Sequence, residues 1–64
     1  MTTPTEKRIV NVLYYANKPL STSDIAKRSK LSWVTAKKYL VRLYGKKLLR
    51  RKTKGKSVYW WLRT

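Results

Sequence analysis

The 64-residue sequence contains no cysteine and no histidine, and only two acidic residues, two prolines and two glycines. The missing cysteines exclude a disulfide, and without cysteine and histidine none of the usual zinc-ligand spacings can occur. A chain this short buries only about 60% of its unfolded surface, so its core needs further support. Three tryptophans and five tyrosines supply aromatic bulk, and association with a second copy of the chain is the other obvious source of stability.

Enzymatic chemistry is nearly excluded by the same inventory. The two carboxylates are Glu6 and Asp24, and each follows a hydroxyl residue by three positions, in the segments TPTE and STSD. That spacing is typical of a capping box, in which a hydroxyl accepts a hydrogen bond from the backbone and the carboxylate reciprocates. We therefore expect both acids to cap helices, and we expect no catalytic residue, no metal site, no cofactor and no small-molecule ligand.

Long apolar runs are also missing. The sequence has no run of about 18 apolar residues, the length that indicates a membrane-spanning helix. Its first residues, MTTPTEKR, lack the apolar segment of a signal peptide. Together with the absence of cysteine, these features predict a cytoplasmic protein without a membrane partner.

What the sequence has in abundance is positive charge. Seventeen Lys and Arg residues stand against two acids, which gives a formal net charge of +15. A compact domain tolerates such an excess most easily when a polyanion supplies the opposite charge. Nucleic acid is the first candidate, because the basic residues are not confined to one long amphipathic helix of the kind that lies on anionic membranes.

The apolar spacing predicts three helices, over residues 4–16, 22–28 and 33–45. In the third, Ala36, Leu40 and Leu43 form a stripe that would bury one face, and Ser32 is a suitable N-cap. Two extended runs, 48–52 and 56–62, flank the turn signal Thr53-Lys54-Gly55 and predict a β-hairpin.

The second extended run, KSVYWWL, alternates between two faces. We expect Val58, Trp60 and Leu62 to point inward against the first helix. Tyr59 and Trp61 share the other face, where they are either a partner surface or scattered exposed aromatics.

The order helix, short helix, tight turn, helix and hairpin resembles the winged helix-turn-helix DNA-binding domain. The segments LSTSDIAKRSKLSWVTAKKYLVRLYGKKLLRR and TKGKSVYWWL carry the resemblance, which spans nearly the whole chain and implies a single α+β domain over residues 1–64. Its size and charge are similar to those of small regulators of archaea and their viruses, in which case the host cytoplasm is the setting. One departure is Lys47, where the family usually has glycine, while Gly45 stands two positions earlier; we expect the exit from the third helix to differ by a residue or two.

The resemblance implies that the third helix enters the major groove. Its outward side chains would then contact DNA: Ser32, Trp33, Val34, Thr35, Lys37, Lys38, Val41 and Arg42. The cations of the wing would lie along the backbone or reach into the minor groove: Arg50, Arg51, Lys52, Lys54 and Lys56. Some of these residues have open alternatives. Trp33 is as well suited to extending the core near Ser29, and Thr35 to facing its own backbone or the neighbouring helix. Lys37 and Lys38 could be a solvated helix face.

We expect a sequence-specific regulator of transcription on double-stranded DNA that acts as a repressor by occlusion. Since one recognition helix reads few base pairs, we also expect a homodimer, with Val10, Tyr14 and Tyr15 as contact candidates. The alternatives are a basic nucleoid or chromatin protein of low specificity and an RNA-binding or protein-bridging winged helix.

Overall fold

Each of the three helices begins at a hydroxyl side chain. The computed structural model describes residues 3–63, and in it the Oγ of Ser21 and Ser32 and the Oγ1 of Thr3 each accept the backbone N–H three residues ahead, at 3.2 Å. These bonds satisfy donors that a helix leaves unpaired in its first turn. The helices that follow are α1 (Pro4–Ala16), α2 (Thr22–Ser29) and α3 (Trp33–Gly45).

Each helix also ends at a residue other than glycine in the left-handed region: Asn17 (φ 52°), Lys30 (φ 57°) and Lys47 (φ 64°). After α3, the Lys47 N–H bonds the Tyr44 carbonyl at 3.0 Å and the Leu48 N–H bonds the Leu43 carbonyl at 3.1 Å. This pair of bonds is a Schellman motif, which favours glycine at the left-handed position. Lys47 thus adopts the left-handed conformation in which glycine is preferred. The expected shift of one or two residues at the end of α3 is not seen, since α3 ends at Gly45.

The extended segments form one antiparallel sheet of three strands in the order β1-β3-β2. Strands β2 (Leu49–Lys54) and β3 (Ser57–Leu62) make the hairpin, and β1 (Leu20–Ser21) adds a short third strand that the sequence did not predict. Two residues are too few to show a period, and β1 exists because Leu20 pairs with Trp60 across the sheet.

The turn of the hairpin lies later than the sequence predicts, at Gly55 and Lys56, because Lys54 already pairs with Ser57. Gly55 has φ +61°, and a positive φ at the first of two turn residues is what a type II′ turn requires. Four of the five expected wing cations therefore lie along β2, and Lys56 alone is in the turn.

The core lies between the helices and the inner face of the sheet. It consists of Ile9, Leu13, Leu20, Ile25, Leu40, Leu43, Leu49 and Trp60. Trp60 is 1% exposed, and its Nε1 donates to the Thr22 Oγ1 at 2.9 Å, which satisfies the indole N–H. Val58 and Leu62 pack against this core, on the inward face that the alternation predicts.

Helix α3 is fixed by its inner edge. Ala36, Leu40 and Leu43 are each 0% exposed. A stripe at i, i+4 and i+7 that is fully buried leaves the opposite side of the helix turned to solvent. Within residues 3–63, no helix combines the length and the apolar character needed to cross a membrane.

Candidate nucleic-acid interface

The outer face of α3, defined as Trp33, Val34, Lys37, Lys38 and Val41, is the face opposite the buried stripe. Its apolar members are well exposed, at 47% for Trp33, 71% for Val34 and 46% for Val41, and both lysines are exposed. Exposed apolar side chains on a helix that already has a buried face add nothing to the core. They are available to a partner that offers both negative charge and apolar atoms.

Ser32 and Thr35 are occupied by the helix cap. The Ser32 hydroxyl donates to the Thr35 Oγ1 at 2.9 Å and accepts the Thr35 N–H at 3.2 Å, so the Thr35 side chain is turned toward the Ser32 cap. At this end of α3 the backbone N–H groups favour an anion through the helix dipole.

Trp33 is not part of the buried core. The Lys37 Nζ lies 5.0 Å from the centre of the indole ring, close enough for a cation–π interaction. Nearly half exposed, Trp33 forms a wall of the groove between α3 and the hairpin. The structure thus favours the surface alternative for Trp33 over an extension of the core.

The groove between α3 and the hairpin has a volume of about 410 Å³. Three cations line it, namely Lys37 from α3, Arg51 from β2 and Lys56 from the turn, and Ser21, Ser23 and Ser57 lie beside them. The guanidinium of Arg51 is 4.6 Å from the centre of the Tyr44 ring and 5.8 Å from that of Trp60. Arg51 is exposed, and these two rings, one on α3 and one on β3, lie beside its guanidinium at the groove.

The other cations of β2 lie on the opposite side of the sheet. In the hairpin register Arg51 faces Trp60 on the inner side, while Arg50 pairs with Trp61 and Lys52 with Tyr59. Successive side chains of a strand point to opposite faces, so Arg50, Lys52 and Lys54 share the outer face with Tyr59 and Trp61. The sequence predicted a single group of five wing cations. The alternation of side chains along β2 instead places Arg51 on one face of the sheet and Arg50, Lys52 and Lys54 on the other.

Arg42 lies at the margin of the outer face of α3, as expected, but its guanidinium is 5.6 Å from the centre of the Tyr39 ring. Tyr39 is itself partly buried against the core. Tyr39 and Tyr44 were not among the site residues predicted from the sequence. Both lie on α3, and Tyr39 precedes Arg42 by three positions, a spacing that places the two side chains on one face of the helix. What the sequence could not show is that each ring holds an arginine.

Negative charge is nearly absent from the surface. Glu6 is buried, and its Oε2 accepts from the Lys46 Nζ at 3.1 Å while its Oε1 accepts from the Thr3 hydroxyl at 3.2 Å. The hydrogen bond from Lys46 lowers the pKa of the Glu6 carboxyl. Asp24 is the single exposed acid of residues 3–63, and within the same residues no group of three or more His, Cys, Asp or Glu side chains could hold a metal ion.

The expected dimer contacts lie away from α3, on α1. Tyr14 and Tyr15 are 66% and 81% exposed, and their rings meet edge to face with centres 5.3 Å apart. Val10, in contrast, is partly buried against the core of its own chain. Of the three expected contacts, the two tyrosines are the exposed ones.

No protein-family model matches the chain, and none of the curated proteins does, but solved structures resemble it. MepR, a transcription regulator of the Staphylococcus aureus multidrug efflux pump MepA, aligns over 98% of this chain and 48% of its own, with a TM-score of 0.88 and 26% identity. The zinc-responsive MarR family member ZitR of Lactococcus lactis aligns over 98% of this chain and 44% of its own, with a TM-score of 0.84 and 24% identity.

A third structure, of the DNA recognition and protein interaction domains of HOP2, aligns over 92% of this chain and 98% of its own, with a TM-score of 0.81 and 24% identity. This chain spans less than half of MepR and ZitR, so the likeness to them is confined to one domain. The element order and these likenesses together show an α+β winged helix-turn-helix fold, which confirms the expected fold.

Proposed function

We propose that the domain is a sequence-specific regulator of transcription that binds double-stranded DNA through α3. The observation that carries the proposal is the division of α3 into an inner edge of zero exposure and an outer face of lysines and apolar side chains. The neighbours support it, since MepR is described as a transcription regulator and a variant of ZitR forms a complex with DNA.

In this arrangement α3 lies in the major groove and one sugar–phosphate strand follows the groove between α3 and the hairpin. Lys37, Arg51 and Lys56 line that path, and Lys54 stands beside the turn. With roughly five phosphate contacts, the slope of log K against log salt concentration is about −4 to −5. Arg50 and Lys52, on the outer face of the sheet, lie outside this path.

The chemistry of the outer face of α3 limits what it can read. The helix sequence WVTAKKYLVRLYG contains no Asn, Gln, Asp or Glu, and its one arginine lies over Tyr39. Bidentate recognition of adenine by Asn or Gln is therefore absent, and lysine donates to guanine or to phosphate. Val34 and Val41 lie seven residues apart on one side of the helix, where they can contact the methyl groups of thymines.

Selection of binding sites from random duplexes tests this proposal most directly, because it reports sequence preference, symmetry and half-site spacing together. Replacing single thymines by uracil in the selected site then removes only a methyl group. Loss of one buried methyl weakens binding by about fourfold, and Val34→Ala should abolish the effect at the thymine that Val34 contacts. A selection that returns no preferred sequence would contradict the proposal.

A basic nucleoid protein of low specificity is the second candidate, because lysines predominate in the interface and lysine contacts position a protein more than they read sequence. Salt titrations on a selected duplex and on its scrambled counterpart separate the two functions. Binding weakens with salt on both duplexes in either case, but only a regulator retains a preference for the selected site.

Two further features belong to the same proposal. A homodimer formed through Tyr14 and Tyr15 would read two half-sites about one helical turn apart, and would repress transcription by covering the site. Such a protein would act in the cytoplasm, where the DNA of an archaeal or viral system is located, and would need no catalytic group. A monomer in equilibrium sedimentation at high micromolar concentration would exclude the dimer.

A further inference from the structure

The outer face of the sheet, defined as Pro19, Arg50, Lys52, Lys54, Tyr59 and Trp61, contributes only Lys54, beside the turn, to the arrangement proposed above. The register places Arg50 opposite Trp61 and Lys52 opposite Tyr59. A groove of about 540 Å³ runs over this face and is lined by all of these residues except Arg50. The rings of Tyr59 and Trp61 are partly buried. They form the base of this groove, and the cations lie beside them.

We propose that the outer face of the sheet is a second nucleic-acid site, which takes single-stranded nucleic acid by stacking its bases on Tyr59 and Trp61. Aromatic side chains in a positively charged groove are the common means by which proteins hold single strands. The site is distinct from the interface of α3, because it lies on the other side of the same sheet.

The simplest competing role for these aromatics is to stabilise the hairpin by cross-strand pairing. In that role the neighbouring cations would sit over the rings. Within residues 3–63, the cations found over aromatic rings are Lys37, Arg42 and Arg51, and each lies on the α3 side of the sheet. The cations of the outer face are therefore not held by Tyr59 or Trp61 and remain available to a ligand.

The charge of the face selects an anionic ligand. Arg50, Lys52 and Lys54 contribute three positive charges, and neither acid of the sequence belongs to the face. A second copy of this chain would be repelled, since its surface carries a single exposed acid, Asp24. A polyanion matches the face better than another basic protein does.

The spacing of the rings selects a single strand over a duplex. Tyr59 and Trp61 are two residues apart on one face of β3, so their side chains are separated by about 7 Å along the strand. Bases in one strand of B-DNA rise by only about 3.4 Å. A duplex cannot place successive bases on both rings without losing its stack, whereas the bases of a single strand can separate and do so.

The experiment uses Trp61 as its own reporter. In the full chain carrying Trp33→Phe, Trp60 is buried, so Trp61 is the tryptophan that solvent and ligand reach. Titration with a 12-nucleotide oligo(dT) or oligo(rU), neither of which forms a duplex with itself, should quench Trp61 fluorescence. In the Trp33→Phe background Tyr59→Leu should reduce affinity for the oligonucleotide by about tenfold, as expected for loss of one stacked base.

Trp61→Leu, followed by anisotropy of a labelled oligonucleotide, should produce a similar loss, and Trp61→Phe should restore most of it. Lys52→Ala should weaken binding more than Lys27→Ala, an equal change of charge at an exposed position on α2. If a leucine variant fails to fold, the two lysine variants still decide the question.

Unquenched Trp61 at saturating oligonucleotide, or equal losses from Lys52→Ala and Lys27→Ala, would overturn the proposal in favour of unspecific attraction by charge. The two proposed interfaces are separated by a duplex control. Trp61→Leu should leave duplex binding unchanged, while Lys38→Ala should weaken duplex binding and reduce oligonucleotide binding no more than Lys27→Ala does. Failure of one interface is thus distinguishable from failure of the other.

Discussion

Helix α3 and the β2–β3 hairpin both present cations to solvent, but they rest on the core in different ways. The inner edge of α3 is buried along about two turns, through Ala36, Leu40 and Leu43. In β2 only Leu49 is buried, and the other five residues are exposed. The hairpin is instead attached to the core through Trp60 of β3, which pairs with Arg51 of β2. A side chain on α3 is therefore placed more rigidly than a cation along β2, which suits α3 to reading bases and the hairpin to binding phosphate.

The strongest test of this comparison removes the support of the hairpin. Trp60→Ala should destabilise the domain by about 3–5 kcal/mol, because it deletes the largest buried side chain and leaves the Thr22 hydroxyl without its indole donor. A domain of this size has little stability in reserve, so we expect most of the protein to unfold. Urea unfolding followed by circular dichroism measures the loss.

Trp60→Phe is the matched control for that experiment. It retains an aromatic ring but loses the hydrogen bond from Nε1, so it should cost less than Trp60→Ala. Val34→Ala, on the outer face of α3, should leave stability nearly unchanged because Val34 is 71% exposed. If Trp60→Ala proved no more destabilising than Val34→Ala, the hairpin would not depend on Trp60.

The second test separates reading from charge within the proposed DNA interface. Lys38→Ala should weaken binding to the selected site by about 1–3 kcal/mol and reduce discrimination at one or two base positions. Lys54→Ala should weaken binding to all duplexes about equally and reduce the magnitude of the salt slope by about 0.9. Titrations of specific and random duplexes at several salt concentrations measure both effects, and similar behaviour of the two variants would remove the distinction between α3 and the hairpin.

The features predicted from the sequence are those whose causes are local. The buried stripe of α3 follows from residue spacing alone, and the hydroxyl caps of the three helices follow from Thr3, Ser21 and Ser32 lying next to apolar repeats. Features that depend on distant partners were not predicted. Strand β1 exists only through its pairing with β3, and the ion pair of Glu6 and Lys46 joins residues 40 positions apart.

The candidate site shows the same limit. The outward face of α3 was predicted because a helical period determines it once the buried edge is known. The division of the wing cations was not predicted, because it depends on where the hairpin turns. Moving the turn to Gly55 and Lys56 fixes the register, and the register assigns Arg51 to one face and Lys52 to the other.

The junction between the two regions offers a third test. Lys47 has φ 64°, and a left-handed conformation costs a residue other than glycine about 1 kcal/mol. Lys47→Gly should therefore stabilise the domain by roughly that amount, as measured by urea unfolding. Lys47→Ala removes the same charge and keeps the strain, so a similar stabilisation by alanine would indicate that relief of charge repulsion, and not backbone conformation, is responsible.

The smallest effect should come from the ion pair that holds the end of α3 against the start of α1. Because the hydrogen bond from Lys46 lowers the pKa of Glu6 below its usual value of 4.5, the folded protein binds fewer protons there than the unfolded chain. The stabilisation is then fully present above pH 4.5 and is lost as pH falls through the lowered pKa of the folded state. Since Lys46 is half exposed, solvent screens the pair and keeps the effect modest.

Urea midpoints measured across that pH range test this prediction, with Glu6→Gln as the variant that cannot titrate. The midpoint of the native protein should fall more steeply below pH 4.5 than that of Glu6→Gln, and the difference between their slopes isolates Glu6 from Asp24. Lys46→Met should reduce that slope as well, because it removes the partner and leaves the carboxyl able to titrate. Parallel pH profiles for the native protein and Glu6→Gln would mean that the end of α3 is held by its apolar edge alone, which would sharpen its contrast with the hairpin.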